Sequence, residues 1–271
     1  MSKFYTIFIF LCAAVSAVSG QVFREADSLR EAGNLALAAV EYERCAYQAD
    51  SRDDFRQALQ RKAQCYQALA RYDRAAATVA RYASCYEDYY RQMFYLYLDG
   101  KFQETAELAE RTEMLYGHAG EDILLLRMLA LNELTLYDSA HVVALRLASL
   151  HAAEGHGDIT DLIDSFYART PRLKSENMAW WLSFCPGMGL AYAGEWWLGT
   201  VAFAINAAAS GFGVWQVFEH CYVTAYMGGA GLLSATFPGQ MHSAEYYVRK
   251  NNYRRSSAFN KSFKQRVIDA F

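Results

Sequence analysis

Residues 63–82 read AQCYQALARYDRAAATVARY, and their spacing predicts the fold. Ala63 is followed twelve residues later by Ala75, and Tyr82 comes seven residues after that. Strong helix formers fill both halves, apolar residues recur at intervals of three and four, and LARYD lies between the halves. Small side chains let two antiparallel helices approach closely while bulkier neighbours fill the space beside them. The stretch therefore predicts two helices joined by a short turn.

The same spacing recurs four times within residues 22–150, a segment without proline. The four triplets are Ala26, Ala38, Cys45; Ala63, Ala75, Tyr82; Met93, Thr105, Thr112; and Met128, Ala140, Leu147. Three residues after each first member stands a large apolar residue: Leu29, Tyr66, Leu96 and Leu131. The first members are 37, 30 and 35 residues apart, so the loops must vary in length. The recurrence predicts repeated helix pairs, although an unrelated helical bundle would share such a pattern.

The pattern resembles the tetratricopeptide repeat, a helix–turn–helix unit of about 34 residues. The resemblance covers residues 22–150 and is weaker in the last two triplets, where Met93, Thr105 and Met128 replace small residues. It implies an all-α fold for residues 21–170, in which helix pairs stack into a superhelix and the first helices line a concave face. It further implies that this face binds a protein or peptide partner.

On that register, the predicted concave face changes from polar to apolar along the chain. Its residues are Gln57, Gln60, Gln64 and Gln67 in the second repeat, Tyr90, Phe94 and Tyr97 in the third, and Leu125, Leu129 and Asn132 in the fourth. Such a surface suits an extended or helical peptide. We expect truncation of its aromatic residues to weaken partner binding more than folding.

The alternative is that a capping helix covers this apolar patch. Residues 158–169, DITDLIDSFYAR, predict such a helix at the end of the array. Its apolar face would contain Ile159, Leu162, Ile163, Phe166 and Tyr167. Exposed aromatic patches are usually either covered or used for binding, and the sequence leaves both readings open.

Residues 175–245 have the composition of a membrane domain. Lysine and arginine are absent between Lys174 and Arg249, and Trp197–Phe218 is a 22-residue run without charge. A second apolar run, Cys221–Pro238, is shorter and rich in glycine. Small residues in both runs favour close helix packing in lipid, and a group of tryptophans suits a membrane interface: Trp180, Trp181, Trp196 and Trp197. We expect a transmembrane hairpin, with a buried helix pair of a soluble protein as the alternative.

Residues 184–199, FCPGMGLAYAGEWWLG, interrupt this apolar region with a Pro-Gly break. Broken backbone at membrane depth survives only where its polar groups are satisfied, so we expect an interfacial or re-entrant helix before the first span. The pattern resembles the PGxGxxYxG element that opens two-span hairpin domains of bacterial membrane proteins. The residues that carry the resemblance are Pro186, Gly187, Gly189, Tyr192 and Gly194. The Asp-Arg-Phe turn of some such domains is replaced by Glu-His-Cys at residues 219–221, and the resemblance implies membrane residence without a particular reaction.

The two ends of the chain carry targeting and lipid-binding patterns. Residues 1–20 hold one lysine, an apolar core and then small residues, which predicts a cleaved secretory signal; an uncleaved anchor is the alternative. We therefore expect the helical domain on the extracytoplasmic side of a bacterial inner membrane. The tail, residues 246–271, is basic with interleaved aromatic residues and suits an anionic lipid surface. The net charge of −3 gives no case for nucleic acid, and two or three membrane segments remain open.

The sequence contains no recognisable catalytic or metal-binding pattern. It lacks a phosphate-binding loop, a nucleophile elbow and an HExxH helix, and its cysteines form no CxxC pair. Cys45 and Cys65 are either a disulfide pair or small packing residues. We predict a non-enzymatic adaptor, without metal or cofactor, that tethers a protein or peptide partner at a membrane complex. The alternative is a subunit of a membrane transporter or membrane enzyme that uses Glu195, Glu219, His220 and His242.

Overall fold

The computed structural model describes residues 23–153 and 159–270, and all regular secondary structure in these ranges is helical. The all-α prediction is confirmed for this part of the chain, while the predicted signal, residues 1–20, lies outside it. Two compact units divide after Tyr167, near the predicted end of the helical domain at residue 170. The first unit contains α1 (Arg24–Glu31), α2 (Leu35–Tyr47), α3 (Arg52–Ala68), α4 (Tyr72–Ala80), α5 (Tyr86–Leu98), α6 (Phe102–Tyr116), α7 (Glu121–Glu133), α8 (Tyr137–Ala153) and α9 (Thr160–Tyr167).

All twelve residues of the four triplets are buried. Each of the first eight helices packs on the next along the chain, so α1/α2, α3/α4, α5/α6 and α7/α8 form helix pairs. Thr105 and Thr112, the two polar residues of the triplets, donate their hydroxyls to the carbonyls of Lys101 and Leu108 at 2.9 and 2.8 Å. These polar side chains can be buried because their hydrogen bonds are satisfied within the helix.

The four helix pairs are joined by the same type of turn. Seven residues after the first member of each triplet the backbone is left-handed, with φ of 79° at Gly33, 54° at Ala70, 79° at Gly100 and 60° at Thr135. The next amide donates to the carbonyl five residues back, at 2.9–3.0 Å in all four turns. This bond satisfies carbonyls at the end of the first helix and turns the chain into the second.

Thr135→Gly is expected to raise the free energy of unfolding of the first unit by about 1 kcal/mol, because a Cβ in the left-handed region costs roughly 1–2 kcal/mol. Urea unfolding followed by circular dichroism measures the change. The matched reverse substitution, Gly100→Thr at the equivalent turn position, is expected to lower the same free energy by at least as much. If both substitutions changed the free energy of unfolding in the same direction, the left-handed backbone would not explain why glycine is favoured in these turns.

Polar side chains bridge neighbouring odd-numbered helices, α1, α3, α5 and α7. The Arg61 guanidinium of α3 contacts the Asp27 carboxylate of α1 at 2.5 Å. The Tyr86 hydroxyl of α5 donates to the Asp122 carboxylate of α7 at 3.2 Å. These bridges place the first helices of successive pairs side by side in what we call the odd-helix layer.

The carboxylate of Glu43 also links two successive helix pairs. Glu43 of α2 accepts hydrogen bonds from Arg81, which follows α4, at 2.8 Å and from Lys62 of α3 at 2.5 Å. Burial alone would raise the pKa of the Glu43 carboxyl, but the hydrogen bonds from Lys62 and Arg81 hold that pKa below its ordinary value. The ionised carboxylate therefore links two helix pairs.

Helix α9 packs on α8, in the position predicted for a capping helix. Ile163, Phe166 and Tyr167 are buried, as expected. Leu162, which was predicted on the same face, is exposed because it lies at the edge of the narrow stripe that an eight-residue helix can bury. The Tyr167 hydroxyl and the Asn132 amide of α7 exchange hydrogen bonds of 3.0 and 3.1 Å.

The second unit is helical across the predicted boundary between the membrane domain and the tail. It contains α10 (Glu176–Leu182), α11 (Met188–Ala193), α12 (Trp196–Phe218), α13 (Tyr222–Thr224), a π-helical segment (Ala225–Ala230) and α14 (Gly231–Ala270). Helix α14 continues through residue 246, where the tail was predicted to begin. Pro238 lies inside α14, where it removes one backbone hydrogen-bond donor from the helix. The predicted second run is therefore divided among α13, the π-helical segment and α14.

Candidate functional site

The predicted glutamine row lies on α3 and is open to solvent. Gln57, Gln64 and Gln67 are exposed, and Gln60 is half-buried. Gln67 accepts a hydrogen bond from the Tyr95 hydroxyl of α5 at 2.8 Å, which ties one end of the row to the next odd-numbered helix. Each amide can both donate and accept hydrogen bonds, as the main chain of a bound peptide requires.

The predicted aromatic patch lies on α5 and is half-buried. Tyr90, Phe94 and Tyr97 pack against the buried cluster of Met93, Ala109, Ile123 and Leu126. Phe94 also packs against the larger cluster of buried residues in α1 to α5, and its ring centre lies 6.4 Å from that of Tyr90. Burial, followed by the charge of Asp122, raises the pKa of Tyr90. Because each ring presents one side to the core, truncation should lower stability as well as binding, which differs from the expectation based on sequence.

The aliphatic part of the predicted face lies on α7. Leu125 and Leu129 are half-buried, whereas Asn132 is 1 % exposed. Asn132, predicted on a face that is either open or covered by a capping helix, is covered here by Tyr167 of α9. Helix α9 therefore closes the end of the face and leaves the glutamine row exposed.

A buried ion pair beside the glutamine row was not predicted. Asp88 of α5 is 1 % exposed, and the Arg56 guanidinium of α3 contacts its two carboxylate oxygens at 2.8 and 2.9 Å. Arg56 also donates to the Ser84 hydroxyl at 2.9 Å. Asp88 stands among the tyrosines of α5, which could have drawn attention to it in the sequence. Its partner Arg56 is 32 residues away, so the sequence pattern of α5 does not reveal the pair. The pair sets the position of the glutamine row relative to the aromatic patch.

The residues of the PGxGxxYxG motif form a packed corner in the second unit. Pro186 and Gly187 separate α10 from α11, and the backbone is left-handed at Gly187 and Gly194, with φ of 81° and 107°. A Cβ on Gly187 would lie 2.1 Å from the carbonyl oxygen of Gly199 on α12. Glycine is required here both for the backbone conformation and for the close approach of two backbones.

Tyr192 and Gly189 attach this corner to the preceding segment. The Lys174 ammonium donates to the Tyr192 carbonyl at 2.6 Å, and the Ser175 amide donates to the Tyr192 hydroxyl at 3.2 Å. A Cβ on Gly189 would lie 2.6 Å from the carbonyl oxygen of Ala179 on α10. The motif residues thus serve packing and hydrogen bonding.

One helix of the described residues, α12, is long and apolar enough to span a membrane. Only 17 % of its most apolar stretch is buried. Helix α12 packs against the π-helical segment through glycines on both sides. A Cβ on Gly229 of that segment would lie 2.7 Å from the Cα of Gly213. Large apolar side chains remain exposed elsewhere on α12: Phe203, Ile205, Val214, Trp215, Val217 and Phe218. An apolar surface of this extent requires a cover of lipid or protein.

A buried polar pair ties α12 to α14. Asn206 of α12 is 2 % exposed, and its amide donates to the carbonyl of Ala202 at 2.7 Å. Its side-chain oxygen accepts from the Thr236 hydroxyl of α14 at 3.3 Å. Such hydrogen bonds hold helices together in an apolar environment, where small polar residues have few other partners.

The residues considered for transport or membrane catalysis lie at the two ends of α12 and on α14. Glu195 precedes α12, and Glu219 and His220 follow it. His242 is exposed on α14 and lies 3.7 Å from Glu245. No group of three His, Cys, Asp or Glu side chains suited to a metal ion occurs in residues 23–153 and 159–266.

Cys45 and Cys65 are buried thiols and do not form a disulfide. Burial raises the pKa of both thiols, which disfavours the reactive thiolate. Both cysteines belong to the same buried cluster of the first unit, where they act as small packing residues.

No protein-family model, curated protein or solved structure matches this chain, so its function is inferred from the residues described above.

Proposed function

We propose that the chain is a membrane-anchored adaptor of the tetratricopeptide type. It binds a protein or peptide partner on the odd-helix layer and holds it at a membrane complex. The observation that carries this proposal is the exposed glutamine row of α3 beside the half-buried aromatic side chains of α5. Hydrogen-bonding groups next to apolar anchors form the kind of mixed surface to which peptide segments bind.

The tetratricopeptide part of the proposal is supported by the repeated local geometry. Four helix pairs share a left-handed turn at the same position, and their triplet residues are all buried. In a stacked array, each pair buries its apolar side against its neighbours, which leaves one extended layer for a partner. That layer here is the odd-helix layer.

The membrane part is supported by the exposed apolar surface of α12 and by the glycine-lined corner that precedes it. In this proposal, α12 forms the first arm of a hairpin and the helical stretch from Tyr222 forms the second. The turn at residues 219–221 connects the arms. Exposed apolar side chains would face lipid, and the glycine contact between Gly213 and Gly229 would bring the arms together.

The proposed location is the bacterial inner membrane, with the helical unit on the extracytoplasmic side. The pattern of residues 1–20 supports this side, since a secretory signal directs the following domain across the membrane. Positive charge within about 15–20 residues of a span favours the cytoplasmic side, so the basic residues of the tail oppose this orientation and the proposal rests on the signal.

Photo-crosslinking in cells tests the partner surface. A photoreactive amino acid at Gln57 or Gln64 is expected to give one defined crosslinked product, while the exposed control position Gln48, beyond the end of α2, gives none. With the partner identified, Gln57→Glu together with Gln64→Glu is expected to weaken binding about tenfold, because amide donors are replaced by acceptors. Equal crosslinking from Gln48 would count against the odd-helix layer as the binding surface.

A further inference from the structure

Basic side chains gather where the segment before α10 runs along α14. The backbone amide of Lys174 donates to the Asn252 side chain at 2.9 Å, and the Asn252 amide donates back to the Lys174 carbonyl at 2.7 Å. One turn further, the Arg255 guanidinium donates to the Arg172 carbonyl at 3.3 Å. These contacts assemble a group that we call the basic collar: Arg172, Lys174, Arg249, Lys250, Arg254 and Arg255.

The charge of the basic collar is only partly neutralised. Glu176 pairs with Arg249 at 2.7 Å, and this hydrogen bond lowers the pKa of the Glu176 carboxyl. Lys250, Arg254 and Arg255 are exposed. Residues 168–266 contain ten lysines and arginines but four glutamates and no aspartate, and one of those glutamates, Glu219, lies at the far end of α12. An excess of positive charge therefore remains at this end of the unit.

Aromatic side chains lie beside the basic collar, on the way to the apolar helix. The Lys250 ammonium lies 5.8 and 5.7 Å from the ring centres of Tyr246 and Tyr247. Trp181, Trp196 and Trp197 are exposed at the end of α10 and the start of α12. Tryptophan and tyrosine rings next to lysine and arginine are typical of the headgroup level of a bilayer.

The segment that precedes α10 and the middle of α14 meet at the basic collar. Residues 172–174 contact residues 252–255, so the chain enters and leaves α12 and the return helix at the same end. The other end is the turn at residues 219–221, which carries no lysine or arginine. The 23 residues of α12 separate the two ends by about 35 Å at 1.5 Å per residue. This geometry indicates an even number of crossings and places the basic collar at one bilayer surface.

We propose that the basic collar binds the phosphate-bearing headgroups of anionic phospholipids at the bilayer surface next to the start of α12. The inference rests on the membrane anchoring proposed above and names the lipid class that the anchor prefers. Lysine and arginine near an anionic surface each strengthen attraction to it, and the neighbouring aromatic rings hold the helices at the depth where phosphates lie.

Lipid preference can be measured from the protein's own tryptophans. All five lie in the second unit, and four of them lie at or next to the corner beside the basic collar, so brominated lipids at the unit quench their fluorescence. The full-length chain, reconstituted in mixed bilayers, is expected to prefer brominated phosphatidylglycerol over brominated phosphatidylcholine by about fivefold or more. The triple variant K250Q/R254Q/R255Q is expected to reduce the preference to near one. The matched triple variant K261Q/K264Q/R266Q, on the same helix but farther from the tryptophans, is expected to retain it.

Equal quenching by both lipids in the unmodified chain, or equal loss in both triple variants, would overturn the proposal. Extraction with alkaline carbonate separates this result from a failure of the anchor. A chain that resists extraction but shows no lipid preference refutes the basic collar alone, whereas an extracted chain refutes the membrane hairpin. A short DNA duplex that binds the detergent-solubilised chain, with no lipid preference, would assign the basic collar to nucleic acid instead.

Discussion

Gly187→Ala is expected to destabilise the second unit by about 3 kcal/mol or more. The added Cβ would lie 2.1 Å from the oxygen and 2.9 Å from the carbon of the Gly199 carbonyl, so two backbone segments would have to separate. Overpacking of this kind costs about 1–3 kcal/mol. The left-handed backbone at Gly187 adds roughly 1–2 kcal/mol for any residue with a Cβ. Thermal unfolding of the full-length chain in detergent, followed by tryptophan fluorescence, measures this unit alone because it contains every tryptophan.

The matched control is Gly211→Ala. Gly211 lies inside α12, and an added Cβ there would have no neighbouring atom within 4 Å. Alanine in a helix interior is favoured over glycine by about 0.5–1 kcal/mol, so this variant should be as stable as the unmodified chain or slightly more so. A similar loss of stability from both substitutions would mean that the close approach of α11 and α12 does not maintain the corner.

Arg56→Met is expected to lower the free energy of unfolding of the first unit by about 3 kcal/mol. The substitution leaves the Asp88 carboxylate buried without its cation, and removal of one partner from a buried pair costs about 3–5 kcal/mol. The lower end applies because Arg56 itself is partly exposed, with 32 % of its side chain accessible. Urea unfolding followed by circular dichroism gives the value.

Arg44→Met provides the comparison for an exposed pair. Arg44 contacts Glu25 at 2.8 Å and Glu41 of the same helix at 2.9 Å, but 53 % of the Arg44 side chain is accessible, so solvent screens both interactions. Exposed pairs contribute less than about 1 kcal/mol, and the variant should unfold close to the unmodified chain. If Arg56→Met were as mild as Arg44→Met, the position of the glutamine row relative to the aromatic patch would need another explanation.

The aromatic residues of α5 both pack against the core and belong to the proposed binding surface, which matters for how binding variants are interpreted. Phe94 packs against two buried clusters, so loss of its ring should affect folding as well as any partner. The glutamines of α3 are exposed and can be changed with little effect on the core. Variants of Gln57 and Gln64 therefore test binding more cleanly than aromatic truncations do.

The sequence alone determined the all-α class and the positions of the helix pairs in the first unit. Helix propensity and the three-to-four-residue period are properties of neighbouring residues, and the small residues of the triplets mark where paired helices meet. All twelve triplet positions are buried, and each turn falls seven residues after a first member. The break between α10 and α11 was also predictable from the sequence, because Pro186 and Gly187 interrupt a helix through their own backbone properties.

Tertiary structure alone decided which predicted surface residues stay open. Asn132 is buried because Tyr167, 35 residues away, covers it, and Asp88 is buried with an arginine 32 residues away. Burial depends on which distant segments come together, and the period of a single helix does not contain that information.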